Sequence, residues 1–198
     1  MVDTARQIQV VAVCTGEAAP LKVSDRAVLS AFRKTVRQGQ VAVGALGLSG
    51  DEQADLSVHG GISKAVYVYP SEHLPGWAKA RIENSLEVPD QGLPPGFMGE
   101  NLLISGLLES EVWVGDTLRL PGCVLRVTEP RQPCYKFNAV MGYARAAKDM
   151  VQHSSSGFYC SVVEAGVVAA GDAIVVEPGQ RGLSISDAFS AKKLKHLR

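Results

Sequence analysis

Apolar positions fall in short blocks along most of the chain. Val-rich runs at 7–15, 41–48, 65–69, 101–104, 116–120, 123–128, 158–163 and 172–176 are bounded by Gly, Pro or Asp. Short runs of this composition with such borders predict strands. Two stretches carry helical spacing instead. One follows Ser71 as N-cap and runs through Trp77 toward Asn84, with Pro75 and Gly76 delaying its start. The other spans 135–152, where Phe137, Val140, Met141, Ala144, Ala147 and Met150 form one apolar stripe. Eight short strands and few helices predict a mainly β fold, and a closed or nearly closed β-barrel is the economical architecture. A sandwich shares the same pattern.

Two blocks, 112–116 and 168–172, each end in Gly-Asp before a strand. They read as similar hairpin turns and not as a repeat architecture. The Pro- and Gly-rich segment 89–99 reads as a functional or rim loop, because strands continue on both sides. The stretch 181–198 has five basic residues against Asp187 alone. It reads as a short basic tail after a domain at 1–180, with a docked helix as the alternative.

Composition narrows the class. Among 198 residues, 46% are hydrophobic and 20% charged, as in a folded domain and unlike a disordered chain. The length fits one domain with a core that needs no disulfide staples. Twenty basic and twenty acidic residues cancel, which argues against a globally basic nucleic-acid binder. No run approaches the ~18 apolar residues of a membrane span, and the N-terminus lacks a signal-peptide pattern. A cytoplasmic protein with reduced thiols is expected.

Four segments carry candidate chemistry. In the first, His59, Gly60 and Gly61 let backbone N–H groups approach an anion, and Lys64 adds charge just before a strand. In the second, Pro130 and Pro133 stiffen the loop that leads to Cys134. Arg131, Lys136 and a predicted helix start beside this thiol favour its thiolate. Cys14 and Cys160 lie in apolar strand patterns and Cys123 opens one, so those three read as packing residues. No pair is spaced C-x-x-C. The third segment, 22–37, sets Lys22, Arg26, Arg33, Lys34 and Arg37 against Asp25. Such a run is either a solvated face or the anion-binding wall of a pocket, with Arg33 and Lys34 as charges and Thr35 as a hydroxyl donor. In the fourth, Gly99 precedes Glu100 and Asn101 at a strand start, where either side chain can be aimed into a cavity. Phosphate-binding P-loop, Rossmann, zincin and nucleophile-elbow motifs are absent from the sequence.

In this order, the segments resemble the MOSC family, named for the C-terminal domain of molybdenum cofactor sulfurase, and in particular its YiiM-type branch. The resemblance is carried by residues 47–55 (GLSGDEQAD), Val58-His59-Gly60-Gly61 with Lys64-Ala65-Val66-Tyr67, Tyr69-Pro70, Glu72-His73, Gly99-Glu100-Asn101-Leu102, Gly115-Asp116, Pro130-Arg131-Gln132-Pro133-Cys134 and Gly171-Asp172-Ala173-Ile174. It covers nearly the whole chain, and the ordered set is far more specific than any one motif. It implies a barrel-like MOSC fold and a molybdenum cofactor (molybdopterin), or a species derived from it, held by the Cys134 thiolate. A soft sulfur ligand suits such a metal. For the anionic cofactor the candidates are Arg33, Lys34, Thr35, His59, Gly60, Gly61, Lys64, Glu100, Asn101 and Arg131. His59 is also a candidate proton relay. The chain ends soon after the last predicted strand, where some members carry a helical extension. It holds no aminotransferase-like domain, so no pyridoxal phosphate catalysis is expected of it.

The leading expectation is a molybdenum-dependent reductase of N-hydroxylated small molecules. A separate electron-donor protein would supply it, because no flavin, haem or iron–sulfur motif is visible in the sequence. A non-catalytic carrier of sulfur or cofactor is the second reading. A cysteine hydrolase with His59 as base is the third, and a barrel with a bare anion site is the fourth. Nucleic acid and membrane are not expected as partners, and the sequence leaves a homodimer open.

Overall fold

A computed structural model describes residues 7–53 and 60–195. The elements run in order from β1 (Gln9–Thr15), β2 (Ala19–Val23), β3 (Arg26–Ser30) and β4 (Thr35–Val36) to β5 (Val41–Gly44) and β6 (Gly47–Leu48). After a 3-10 turn at Ile62–Lys64 come β7 (Val66–Pro70), a second such turn at Ser71–His73, and α1 (Leu74–Glu83). Then follow β8 (Leu102–Ser105), β9 (Thr117–Arg119), β10 (Val124–Pro130), α2 (Tyr135–Met141) and α3 (Ala146–His153). The chain closes with β11 (Phe158–Glu164), β12 (Gly166–Val168), β13 (Val175–Glu177) and α4 (Ile185–Lys195).

Eight strands form one sheet in the order β13-β9-β10-β11-β7-β8-β1-β4, and β7 and β8 are its parallel pair. A three-stranded sheet, β12-β5-β6, and the separate β2–β3 hairpin complete the strands. The fold is mainly β with a few short helices, as expected, but the large sheet is open and forms no closed barrel. The reason lies at β1. One of its edges pairs with β8, and the other is divided. Cys14 and Thr15 pair with the two-residue β4, whereas Gln9 only bridges Ala173 ahead of β13. Backbone bonds from Val10 to Asp172 and from Ile174 to Ile8 close this seam over a few residues without a ladder.

Both faces of the central strands are buried. Val10, Val13, Val66, Val68, Leu102 and Ile104 point into one core, with Leu118, Leu125, Phe158 and Cys160. Ala12, Cys14, Tyr67, Tyr69 and Leu103 point into the other, with Trp77, Met98, Phe137, Met141, Met150 and Phe189. The period of two along a strand makes this division, and a bulge between Val10 and Ala12 sets the phase in β1.

Several boundaries differ from expectation. The 41–48 strand is a hairpin, β5–β6. The 135–152 helix is two helices, because Gly142 ends α2 at a φ of 83°. Asn138 accepts the Gly142 N–H with its carbonyl and the Ala147 N–H with its side chain, so it ties α3 back onto α2. In the 181–198 stretch, α4 buries Ile185 and Phe189. The two Gly-Asp blocks share a device: Asp116 and Asp172 each accept the N–H three residues earlier, from Trp113 and Ala169, at 2.9 Å.

Candidate functional site

One cavity gathers residues from six separate stretches of the chain. Its wall includes Ser30 at the end of β3, Phe32 and Lys34 after it, Asp51, Glu52 and Gln53 after β6, and Gly60 and Lys64 before β7. Tyr67 of β7, Met98, Gly99, Asn101, Arg131, Cys134, Lys136 and Tyr159 complete it. Its volume is about 120 Å³, where one water needs about 10–15 Å³, so a bound group the size of several waters fits within it.

Asn101 fixes the floor. Its side-chain oxygen accepts the Tyr67 N–H at 3.0 Å, and its amide donates to the Cys14 carbonyl and to Asp51 Oδ2. Asp51 accepts the Gly16 N–H and pairs with Lys34. Gln53 Oε1 accepts the Gly61 N–H at 2.8 Å. Gly60, at a φ of 114°, leaves room for the Gln53 side chain that a Cβ would strike.

Arg131 is only 5% exposed. Its guanidinium lies 5.0–5.2 Å from the ring centroids of Phe32, Tyr67 and Phe137. Burial opposes its charge, yet the facing Tyr67, Tyr159 and Cys134 hold its pKa above the usual arginine range. Burial also pushes the phenols of Tyr67 and Tyr159 up, so they stand as protonated groups beside it. Lys64 Nζ is 3.9 Å from Glu129 and 6.0 Å from the centre of the Tyr159 ring. Lys136 Nζ donates to the Leu29 carbonyl at 3.0 Å.

Cys134 sits in extended backbone just before α2, and its carbonyl accepts the Phe137 N–H. It is half-buried and lines the cavity. The other three cysteines are buried. Burial first, with the Glu100 charge, pushes the Cys14 thiol up to about 12, and burial with Asp172 pushes Cys123 up to about 11. Burial alone raises Cys160 well above the thiol range. Their packing role and the separate setting of Cys134 follow the sequence reading.

Of the residues expected at a cofactor site, the cavity brings together Lys34, Gly60, Lys64, Asn101, Arg131 and Cys134. Arg33 and Thr35 are exposed and are not part of the wall, and Gly61 contributes through its bond to Gln53. Glu100 faces away from the cavity. It is fully buried and accepts the N–H groups of Gly96 and Met98 at 2.6 and 3.0 Å, so it braces the turn that places Met98 and Gly99 in the wall. Burial pushes its carboxyl up to about 7, against the pull of those N–H groups and of Lys34. Glu72 and His73 face a second cleft, between α1 and α3. There Glu72 accepts the Gly106 N–H, and His73 Nε2 is 2.8 Å from the buried Glu109. His59 lies outside the described residues. Sequence reasoning gave Lys136 only a supporting part beside Cys134, and the structure puts it in the wall. The available signal was a lysine next to Phe137 on an otherwise apolar helix stripe.

Residues 55–175 match the sequence profile of the MOSC domain. The chain belongs to the MOSC domain family. This MOSC chain is 41% identical over 140 residues to the uncharacterized protein YflK of Bacillus subtilis, covering 70% of the chain and 60% of YflK. It is 37% identical over 148 residues to a protein named Reductase from Gibberella moniliformis, covering 74% of the chain and 25% of that protein. It thus spans less than two thirds of these curated relatives. The crystal structure of YiiM from Geobacillus stearothermophilus superposes with a TM-score of 0.74 at 29% identity, covering 96% of this chain and 86% of that one. No described helix of the MOSC chain is long and apolar enough to cross a membrane.

Proposed function

We propose that this MOSC domain holds a molybdenum cofactor in the Cys134 cavity and reduces N-hydroxylated small molecules there. The observation that carries the reading is one thiol among four cations, Lys34, Lys64, Arg131 and Lys136, in a single cavity. The donor set fits the group. Among the described residues, no cluster of three or more His, Cys, Asp or Glu is placed to hold a metal ion. A metal here would therefore arrive with its own chelator and take Cys134 as its protein ligand, a soft donor for a soft-ligand site. The cations, the Asn101 amide and the Gly60 backbone would meet the anionic parts of that chelator.

When bound, the cofactor supplies the two-electron chemistry that removes the hydroxyl oxygen as water. The chain's own residues do the rest. Arg131 and the protonated Tyr159 offer hydrogen-bond donors at the reacting face, while the Tyr67 hydroxyl is committed to the Ser156 carbonyl. Phe32, Met98 and the tyrosine rings exclude water and stack a planar substrate. His59 remains our candidate proton donor. Electrons would come from a separate donor protein, and the relative named Reductase, four times the length matched here, supports redox work for this type of domain.

The test is molybdenum content per chain after expression in a cofactor-competent host, for wild type and Cys134→Ala. Metal in wild type that is lost in the variant, with hydroxylamine-compound reduction by wild type, is the expected result. Metal without turnover assigns a carrier of cofactor or sulfur instead. Equal metal in both proteins removes Cys134 from the ligand role.

A further inference from the structure

Glu72 and His73 take no part in the Cys134 cavity, yet they anchor a chain of hydrogen bonds that reaches its wall. Both lie in the 3-10 turn after β7 and grip the stretch that follows β8. Glu72 accepts the Gly106 N–H at 2.7 Å, and His73 Nε2 lies 2.8 Å from Glu109 Oε2. The other carboxylate oxygen of Glu109, Oε1, accepts the Gly157 N–H at 2.7 Å. Glu109 is 3% exposed. A buried carboxylate needs polar partners, and His73 and Gly157 supply them.

Residues 155–157 are buried and belong to neither α3 nor β11. A buried loop must satisfy its backbone polar groups, and here they run to residues of the cavity wall and the core behind it. The Ser155 carbonyl accepts the Tyr69 hydroxyl at 3.1 Å, and the Ser156 carbonyl accepts the Tyr67 hydroxyl at 2.8 Å. The Gly157 carbonyl accepts the Arg131 N–H at 3.4 Å. Gly157 has a φ of 62°, and a Cβ there would stand 2.5 Å from the Val68 carbonyl oxygen and 2.8 and 2.9 Å from the rings of Tyr69 and Tyr67. The loop thus lies directly against both rings. Its fixed point is the Gly157 N–H, because a carboxylate acceptor makes a shorter and stronger bond than a neutral one.

We infer that Glu109 is a positioning residue: held by His73, its carboxylate fixes the 155–157 loop and so sets where Tyr67 and Arg131 stand in the wall of the Cys134 cavity. The inference rests on the reading of that cavity as the reactive site, but on no metal.

The experiment is heteronuclear NMR of the isotope-labelled full chain, purified without added cofactor, read at the Arg131 Nε–Hε resonance. The rings of Phe32, Tyr67 and Phe137 face this guanidinium at 5.0–5.2 Å, so their ring currents displace the resonance from its solvent position. Arg131→Lys assigns it by its loss. A native-state shift of this kind follows local geometry and not overall stability. Glu109→Ala is expected to move the resonance toward its solvent position and to abolish the slow exchange of the Gly157 amide. Glu109→Gln keeps an acceptor for the Gly157 N–H and is expected to restore both. Glu83→Gln, on the exposed rim of the second cleft, leaves both unchanged. Where Glu109→Ala does not fold, His73→Phe takes its place. That variant keeps a ring beside Tyr69, removes the partner of the carboxylate and is expected to move the resonance the same way. In cofactor-loaded protein, kcat for hydroxylamine-compound reduction is expected to fall at least about tenfold in Glu109→Ala and to recover in Glu109→Gln. A wild-type Arg131 resonance in the variant that folds overturns the inference. So do an equal displacement in Glu109→Gln and a moved resonance with wild-type kcat. A chain that never carries molybdenum overturns the cofactor reading, and the NMR result still decides this one.

Discussion

The two faces of the central strands divide the molecule's work. On one side valines, leucines and isoleucines meet Phe158 and the buried Cys160. On the other, three aromatic types and three methionines pack together, and Tyr67 and Met98 among them line the cavity. The aliphatic side offers nothing but volume and contact, so it can only hold the fold. The aromatic side offers ring faces, phenols and sulfur, which tolerate a buried guanidinium. A single strand serves both. In β7, Val66 and Val68 pack the first core, while Tyr67 and Tyr69 donate to the Ser156 and Ser155 carbonyls in the second.

Thiol reactivity gives the widest separation, between Cys134 in the cavity wall and the cysteines buried in both cores. With a native-state maleimide at neutral pH, Cys134 should label, and Cys14, Cys123 and Cys160 should stay intact. At a pKa of about 12, Cys14 has a thiolate population roughly three thousandfold below that of an ordinary thiol of ~8.5. Mass spectrometry of the labelled peptides decides it, and fast native labelling of Cys160 would erase the distinction. Next comes Phe158→Ala, which opens a hole in the aliphatic core. It should cost about 3–5 kcal/mol by denaturant titration, while maleimide labelling of Cys134 in whatever folds remains that of wild type.

A smaller effect concerns the brace beside the cavity. Because Glu100 has its pKa raised from 4.5 to about 7 by burial, the native state holds this proton more tightly than the unfolded chain. Its contribution to stability is therefore complete below about pH 4.5 and is lost as pH rises through about 7. Glu100→Gln should flatten stability against pH across that window, as followed by urea midpoints. An unchanged slope would mean that the carboxyl is ionised throughout. Smallest of all is Lys79→Met on exposed α1, where the pair with Glu83 is solvent-screened. No shift in Tm beyond error is expected.

Strands with one or two buried faces were legible in the sequence because burial leaves a pattern. The helix after Ser71 was legible for the same reason. What escaped notice lies where burial is thin. The β2–β3 hairpin buries Leu21 and Ser30 and little else, so it read as a basic run. Gly142 sat inside an apolar stripe, and only its left-handed backbone reveals the break. In the site, residue types were readable but not their aim. Asn101 and Glu100 are neighbours in one motif just ahead of β8, yet one side chain bonds Tyr67, Cys14 and Asp51 at the floor of the cavity and the other bonds the turn at Gly96 and Met98. Arg33 and Lys34 divide in the same way, one to solvent and one to Asp51. Sheet closure was not readable at all, since it depends on how the β1 edge is shared.

The β2–β3 hairpin pairs with no other strand, yet the end of β3 supplies Ser30 to the cavity and the Leu29 carbonyl to Lys136. A wall built this way can change length or side chains at the far turn, near Ser24 and Asp25, without disturbing a ladder or a core. Lineages of this domain are thus free to vary that far turn while inheriting the cavity wall unchanged.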